Sequence, residues 1–447
     1  MTSPTTEPVI LYRAALVVPV TAPPIRGGAI AVRGSRIIHV GDGDWVRSEL
    51  VERGLAFHER DWPGILTPGL VNAHTHLQYT GLAPVGRGRY AGFDAWDAAF
   101  TEHYRAGRDW ASDAAEGARA AIAAGTTAVA DVVTDASAAS ALHDARLHGI
   151  AYWEVMSWSD ADWRERGRAG VVAALDALPI PPGAGLSPHA PYSLDTVPLL
   201  EIPDIVRERG ARLHIHLGEA AMEREGPDLD ASWHERRPTS FRELRGSGSG
   251  TSATEFVDAL GVLGPDCHIA HGIYMSARDR ALLRSRGTSV ALCPRSNAVI
   301  GLDEPPVAAY LSEGSPIAVG TDSLSSSPSL DLLADVAELH RIARSQGYTH
   351  RDLSERLLSA ATIGGAHAMG LDTGPDRTGY LAVGARADLA FFDLDLDPRS
   401  REHGRAGIDE ALEHLVTAGA GSAAATIIAG EVRHASPAFT AQTGASA

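Results

Sequence analysis

The chain of 447 residues has only 2 cysteines, Cys267 and Cys293. So small a number excludes a disulfide framework and suits a reducing, cytoplasmic environment. Basic charge is also scarce: 39 Lys and Arg stand against 56 Asp and Glu, for a net charge of −17. That balance argues against a nucleic-acid surface and against an anionic membrane surface. No apolar run reaches the roughly 18 residues of a transmembrane helix. The polar opening "MTSPTTEPVI" lacks the basic start and apolar core of a secretory leader. What remains is 44% hydrophobic and 21% charged residues, the proportions of a globular chain. The length allows two or three average domains, or one large barrel with an addition.

The two ends of the chain read alike. "VILYRAALVV" and "GGAIAVRGSRIIHVG" near the start, and "TGYLAVGARADLAFFDLD" and "ATIIAGEVRH" near the end, are short alternating runs broken by glycine, the pattern of strands. Between them, strand-like runs alternate with helical stretches such as "ASDAAEGARAAIAAG". The expected strands are "GILTPGLVNAH" (64–74), "TTAVADVV" (126–133), "GIAYWEVM" (149–156), "AGLSPHA" (184–190), "ARLHIHLGE" (211–219), "CHIAH" (267–271), "TSVALCP" (288–294) and "SPIAVGTD" (315–322). Eight strand–helix repeats predict an α/β fold, a (β/α)8 TIM-like barrel over 66–377. Residues 1–65 and 378–440 would form a small β-sandwich side domain from both chain ends. The polar, Gly/Ser-ending insertion over 223–254 reads as either a lid or a surface loop.

In a strand, residues i and i+2 share a face, so His74 and His76 project together from the C-terminal end of the first barrel strand. One His-x-His pair is weak evidence by itself. The other strand ends strengthen it: His189 in "SPHAPYS", His216 and Glu219 in "HIHLGE", His271 in "AHG", and Asp322 in "GTDS". Active sites of such barrels sit at that end. Imidazoles with a carboxylate suit one divalent ion, Zn²⁺ by default, with Fe²⁺ or Mn²⁺ as alternatives. Such an ion lowers the pKa of bound water towards about 7. Glu219, just past a ligand, is placed to carry that water's proton. His271 either orients the water or ligates.

The set "NAHTHL", "SPHAPYS", "HLGE", "AHG", "CPRSN" and "GTDS" resembles the amidohydrolase superfamily. The likeness covers almost the whole chain. It is strongest to the branch of cytosine, guanine, S-adenosylhomocysteine and aminofutalosine deaminases with the triazine hydrolases. The resemblance implies one divalent metal per chain held by His74, His76, His216 and Asp322. It implies catalytic roles for Glu219 as proton shuttle, His271 as holder of the hydrolytic water and Asp322 as an acceptor of the water's proton. His189 would contact substrate, and Gln78, Arg295 and Asn297 would line the pocket. Strand four ends without the lysine that two-metal relatives use, which supports a mononuclear site. Relatives are often homodimers or larger homo-oligomers.

The implied reaction is hydrolytic deamination of an aminated heteroaromatic ring. The run from "CPRSNAVIGL" to "LDLLADV" looks most like aminodeoxyfutalosine deaminases of menaquinone biosynthesis, whose substrate is an adenine nucleoside bearing a benzoate. Arg295, or an arginine of the 86–89 or 236–237 stretches, would meet that carboxylate. S-adenosylhomocysteine, methylthioadenosine, guanine or another purine or pyrimidine would use the same ligands, as would an amide or chloro-ring hydrolase. A metal-free binding protein on the same barrel would not need them. Trp233 and Phe93–Trp96 are candidates to stack on a flat ring. His214, one layer below His216 on the same face, reads as interior packing or as a histidine supporting a ligand from behind, and His268 and His367 as structural.

Overall fold

The structure, a computed structural model, describes residues 7–181, 183–226, 239–394 and 404–447. Eight parallel strands follow one another in chain order: Leu70–Thr75, Thr126–Val133, His148–Val155, Gly183–Pro188, Arg212–Leu217, Cys267–His271, Ser289–Leu292 and Ile317–Val319. Hydrogen bonds past the last strand close the ring. The Asp322 N–H donates to the His74 carbonyl at 3.0 Å, and the Asn72 amide exchanges bonds with the Thr321 hydroxyl (2.7 Å) and N–H (3.1 Å). Asn72, the first residue of "NAHTH", thus clamps the first strand to the last.

The barrel strands are near-continuous apolar runs because both faces are covered. All eight residues of Thr126–Val133 are buried, as expected of a parallel strand between packed layers. Helices such as Trp110–Ala123 and Leu332–Ser345 cover the outside with Ala114, Ala118, Ile122, Leu333, Val336 and Leu339. Among the described residues, no helix is long and apolar enough to cross a membrane. Both cysteines are buried and free.

The two chain ends form a second, mixed sheet of eight strands. Val9–Val17 lies centrally, antiparallel to Gly28–Arg33 and parallel to Phe57–Pro68, and Leu389–Phe392 follows on the far side of Phe57–Pro68. Its core gathers Tyr12, Trp62, Phe391 and Phe439, with the Trp62 indole donating to the Phe392 carbonyl at 3.0 Å.

The run "GILTPGLVNAH", expected as one barrel strand, is divided. Residues up to Pro68 stay in the side sheet, and the barrel strand starts at Leu70. The chain changes sheets at Gly69, whose N–H bonds to the Asp388 carbonyl (2.9 Å) while the Leu70 N–H bonds to Gly125 (3.0 Å). A Cβ at Gly69 would lie 2.1 Å from the Thr127 hydroxyl, so the crossing needs glycine. An apolar run carries no mark of such a switch.

Candidate metal centre and active site

His74 and His76 end the first barrel strand, and the chain is then pinned by Asp131 of strand two, which accepts from the Leu77 N–H at 2.9 Å. His216 ends strand five, His271 ends strand six, and Asp322 follows strand eight. His271 (φ 74°) and Asp322 (φ 55°) both have left-handed backbones, costly for residues other than glycine. Their side chains are thereby turned over the barrel mouth.

The hydrogen bonds orient the imidazoles. His216 Nδ1 is 2.9 Å from the His189 carbonyl and must donate to it. His271 Nδ1 is 3.2 Å from Asn297 Oδ1, and His74 Nδ1 is 2.8 Å from His214 Nε2. In each ring Nδ1 is engaged outward, so the Nε2 lone pair turns inward. The Nε2 atoms of His74 and His271 are buried with no hydrogen-bond partner. Asp322 Oδ1 lies 3.5 Å from His74 Nε2 and 3.6 Å from His76 Nε2. Possible ligand atoms of His74, His76 and Asp322, and likewise of His74, His216 and His271, lie within 4.8 Å of one another. Several buried, unpartnered lone pairs around one point fit a divalent cation.

The electrostatics agree. Burial lowers the pKa of His74, His216 and His271 and takes His76 down to about 3, so the rings are neutral, as metal ligands must be. Burial alone would raise Asp322. The imidazoles around it, His74 first and then His76 and His271, hold it well below the usual carboxylate range. Its Oδ2 accepts from Ser296 (2.7 Å) and Ser326 (2.8 Å), and its Oδ1 from the Ser323 N–H (2.7 Å). Glu219 is different: burial pushes it up to about 7. Its Oε1 is 3.5 Å from His271 Nε2, and its Oε2 accepts from the Tyr192 hydroxyl at 3.2 Å. Glu223 sets that loop by accepting from the N–H groups of Gly218, Glu219 and Ala220.

A cavity of about 380 Å³ opens over this centre. Of the residues expected at the site, His76, His189, His216, Glu219, His271 and Asp322 line it. Three expected substrate contacts do not. Gln78 faces the strand-two loop, accepting from the Thr134 N–H at 3.0 Å. Arg295 turns away to Asp335 (3.0 Å) and the Ser329 carbonyl (2.6 Å), tying the "CPRSN" turn to helix Leu332–Ser345. Asn297 acts on His271. Arg87 and Arg89 are exposed, and Trp233, Arg236 and Arg237 lie outside the described residues.

Other cavity residues were not expected. Helix Phe93–Arg105 has no buried residue, yet Phe93, Trp96, Phe100 and Tyr104 repeat every three or four positions and face the cavity, with Tyr79 and Tyr192 beside them. Of these, only Phe93–Trp96 stood out in the sequence, although the spacing is legible as a helical stripe. Arg242 brings a buried guanidinium to the wall, 6.0 Å from the Tyr192 ring centre. Glu154, at the end of strand three, has a buried Oε1 without a partner, 3.9 Å from His216 Nδ1. Burial, then the nearby Asp322 and Glu219, push it up to about 8. The strand-end rule that singled out the other residues points to Glu154 as well.

Comparison with known proteins identifies the family and the fold. Residues 65–433 match the amidohydrolase family. The 5-methylthioadenosine/S-adenosylhomocysteine deaminase of Halobacterium salinarum is 31% identical over 382 residues, covering 82% of this chain and 81% of that protein. The protein of the same name from Teredinibacter turnerae is 31% identical over 354 residues, covering 75% of this chain and 74% of its own. Among solved structures, an adenosine deaminase from Xanthomonas campestris with bound zinc superposes at TM-score 0.76 with 24% identity, covering 98% of this chain and 97% of that one. The aminofutalosine deaminase of Helicobacter pylori in complex with methylthio-coformycin reaches TM-score 0.77 with 18% identity, covering 94% and 99%. These structural likenesses speak to the fold. Taken with the family match over most of its length, they accompany a plain assignment: the chain belongs to the amidohydrolase family.

Proposed function

We propose that the protein is a metal-dependent hydrolytic deaminase of an adenine nucleoside carrying a substituent on its sugar. The observation that carries this reading is the convergence of inward Nε2 lone pairs, Asp322 and Glu219 on the floor of one aromatic-walled cavity. The names of the relatives direct it to the adenine ring. His74, His76, His216 and Asp322 would hold the ion, with zinc the best fit to three imidazoles and a carboxylate. A divalent ion there supplies Lewis acidity that lets water act as a nucleophile near neutral pH.

The chain's own groups do the rest. Glu219, with a pKa near neutrality, takes a proton from the attacking water and passes it to the ring nitrogen beside the attacked carbon. Tyr192 steadies its outer oxygen. His271, fixed by Asn297, presents Nε2 towards the water. Asp322, anchored by Ser296 and Ser326, accepts the second proton and returns it to the departing amine. Water adds to the amino-bearing carbon, the C–N bond breaks, ammonia leaves and an oxo-purine remains. The rings along Phe93–Arg105, with Tyr79 and Tyr192, stack on the flat substrate and keep bulk water away. His189, neutral and bonded to Ser193 at 3.0 Å, contacts the nucleoside.

A finer reading, with aminodeoxyfutalosine as substrate, is favoured by the same aromatic helix and by Arg242. A benzoate needs an aromatic groove and a cation, and the cavity has both. Ammonia release from aminodeoxyfutalosine, methylthioadenosine, S-adenosylhomocysteine, adenosine, guanine and cytosine tests both levels. Turnover of any adenine nucleoside supports the class, and preference for aminodeoxyfutalosine supports the finer reading. Turnover of guanine or cytosine alone, or of none, sinks the class.

A further inference from the structure

The mechanism leaves unused two buried histidines directly beneath the proposed metal centre. His214 and His268 sit opposite each other on strands five and six. Neither is exposed to solvent. Their ring centres are 4.2 Å apart, and the Tyr152 ring meets both edge-on. His214 Nε2 lies 2.8 Å from His74 Nδ1, and His268 Nε2 lies 3.0 Å from the carbonyl of Ala73, the residue preceding His74.

We infer that His214 and His268 are positioning residues that fix the tautomer and the orientation of His74. This rests on the reading of His74 as a metal ligand through Nε2. A carbonyl oxygen only accepts, so His268 carries its proton on Nε2 and leaves Nδ1 bare. His74, with Nε2 kept free for the ion, carries its proton on Nδ1 and donates it to His214 Nε2. His214 then carries its own proton on Nδ1. The two ring atoms without hydrogen-bond partners in this layer are His214 Nδ1 and His268 Nδ1. By this assignment one is a donor and the other an acceptor, on adjacent rings. The bonds to His74 and to the Ala73 carbonyl thus assign each ring one proton position. One end of the pair holds the His74 ring and the other holds the backbone just before it.

Simple packing does not account for the pair. Leucine or valine would fill this layer without burying imidazole nitrogens, as Ala270 and Ala291 do nearby. Partners behind ligating histidines set ring orientation and ligand basicity, and their loss typically weakens metal binding by about 10–100-fold.

The test measures metal affinity rather than turnover. His214→Leu removes the acceptor at similar volume, whereas His214→Gln keeps an acceptor near the Nε2 position. The dissociation constant for Zn²⁺, measured by chelator competition, should rise about 10–100-fold in His214→Leu and return most of the way in His214→Gln. The visible spectrum of the Co²⁺-loaded protein should shift in the Leu variant only. Wild-type affinity in His214→Leu overturns the inference. Equal loss in both variants also overturns it, since packing alone would then explain the change. His76→Ala serves as the control: if it binds metal like the wild type, it is the metal-centre reading that fails. Should the Leu variant not fold, ¹⁵N spectra of the histidine rings in the unaltered protein decide. Protonated Nδ1 on His74 and His214 and protonated Nε2 on His268 are expected, and a His214 protonated on Nε2 overturns the inference.

Discussion

The barrel mouth and the side sheet differ in how they treat buried polarity. In the side sheet the core is Tyr12, Trp62, Phe391 and Phe439, and the buried Asp388 carboxylate at its edge is fully partnered, accepting from the Thr378 hydroxyl, the Arg386 guanidinium and the Ala429 N–H. Arg13 meets Asp44 and Glu59 at 3.1 Å each, all at least partly exposed. At the mouth, five histidines and several carboxylates crowd together, most of them buried. Nε2 of His74 and His271 and Oε1 of Glu154 have no partner, and His271 and Asp322 have left-handed backbones. A fold tolerates such costs where the groups are kept for a ligand. The sheet is built for stability and the mouth for chemistry.

That contrast can be broken by substitution. The largest effect belongs to the proposed ligands: His76→Ala or Asp322→Ala should drop ammonia release to background and lower the metal content of the purified protein. Glu219→Gln should keep the metal and slow kcat by about 10²-fold or more, because it removes only the proton carrier. Glu219 also sets a pH dependence. Burial raises its pKa to about 7, and it must be ionised to take the water's proton. Thus kcat/KM should fall about tenfold per unit as pH drops below 7, and this limb should be missing in Glu219→Gln.

Arg295→Met sharpens the contrast within the barrel. It strands the buried Asp335 carboxylate, so denaturant unfolding should show about 3–5 kcal/mol of lost stability, with KM unchanged. A raised KM would instead restore Arg295 to the pocket. Arg13→Ala in the side sheet should be smallest of all, within about 1 kcal/mol, since exposed ion pairs contribute little.

Much of this was legible in the sequence for identifiable reasons. The strands Thr126–Val133 and Cys267–His271 have the expected bounds because their apolar runs are sharply ended. The placement of His76, His216, Glu219, His271 and Asp322 at one mouth follows from their lying at or just past strand ends, which meet at the C-terminal face of such a barrel. The switch at Gly69 was hidden because a buried strand of either sheet looks the same. Arg295 misled because it lies in the first turn of the helix that begins at Pro294, and position within a motif does not say which way a helical side chain points. His214 could be read only as packing or as support behind a ligand, and His268 only as structural, because their partners, His74 and Ala73, are far away in sequence and meet them only when the barrel closes.

The central claim, a single catalytic metal at the barrel mouth, is tested most directly by titration. Protein stripped with a chelator would be given increasing Zn²⁺ while ammonia release from the best adenine nucleoside of the panel is followed. The account predicts negligible activity without metal, rising in proportion to added ion and levelling off at one equivalent per chain. Full activity in the stripped protein, or a plateau only at two equivalents, would contradict it.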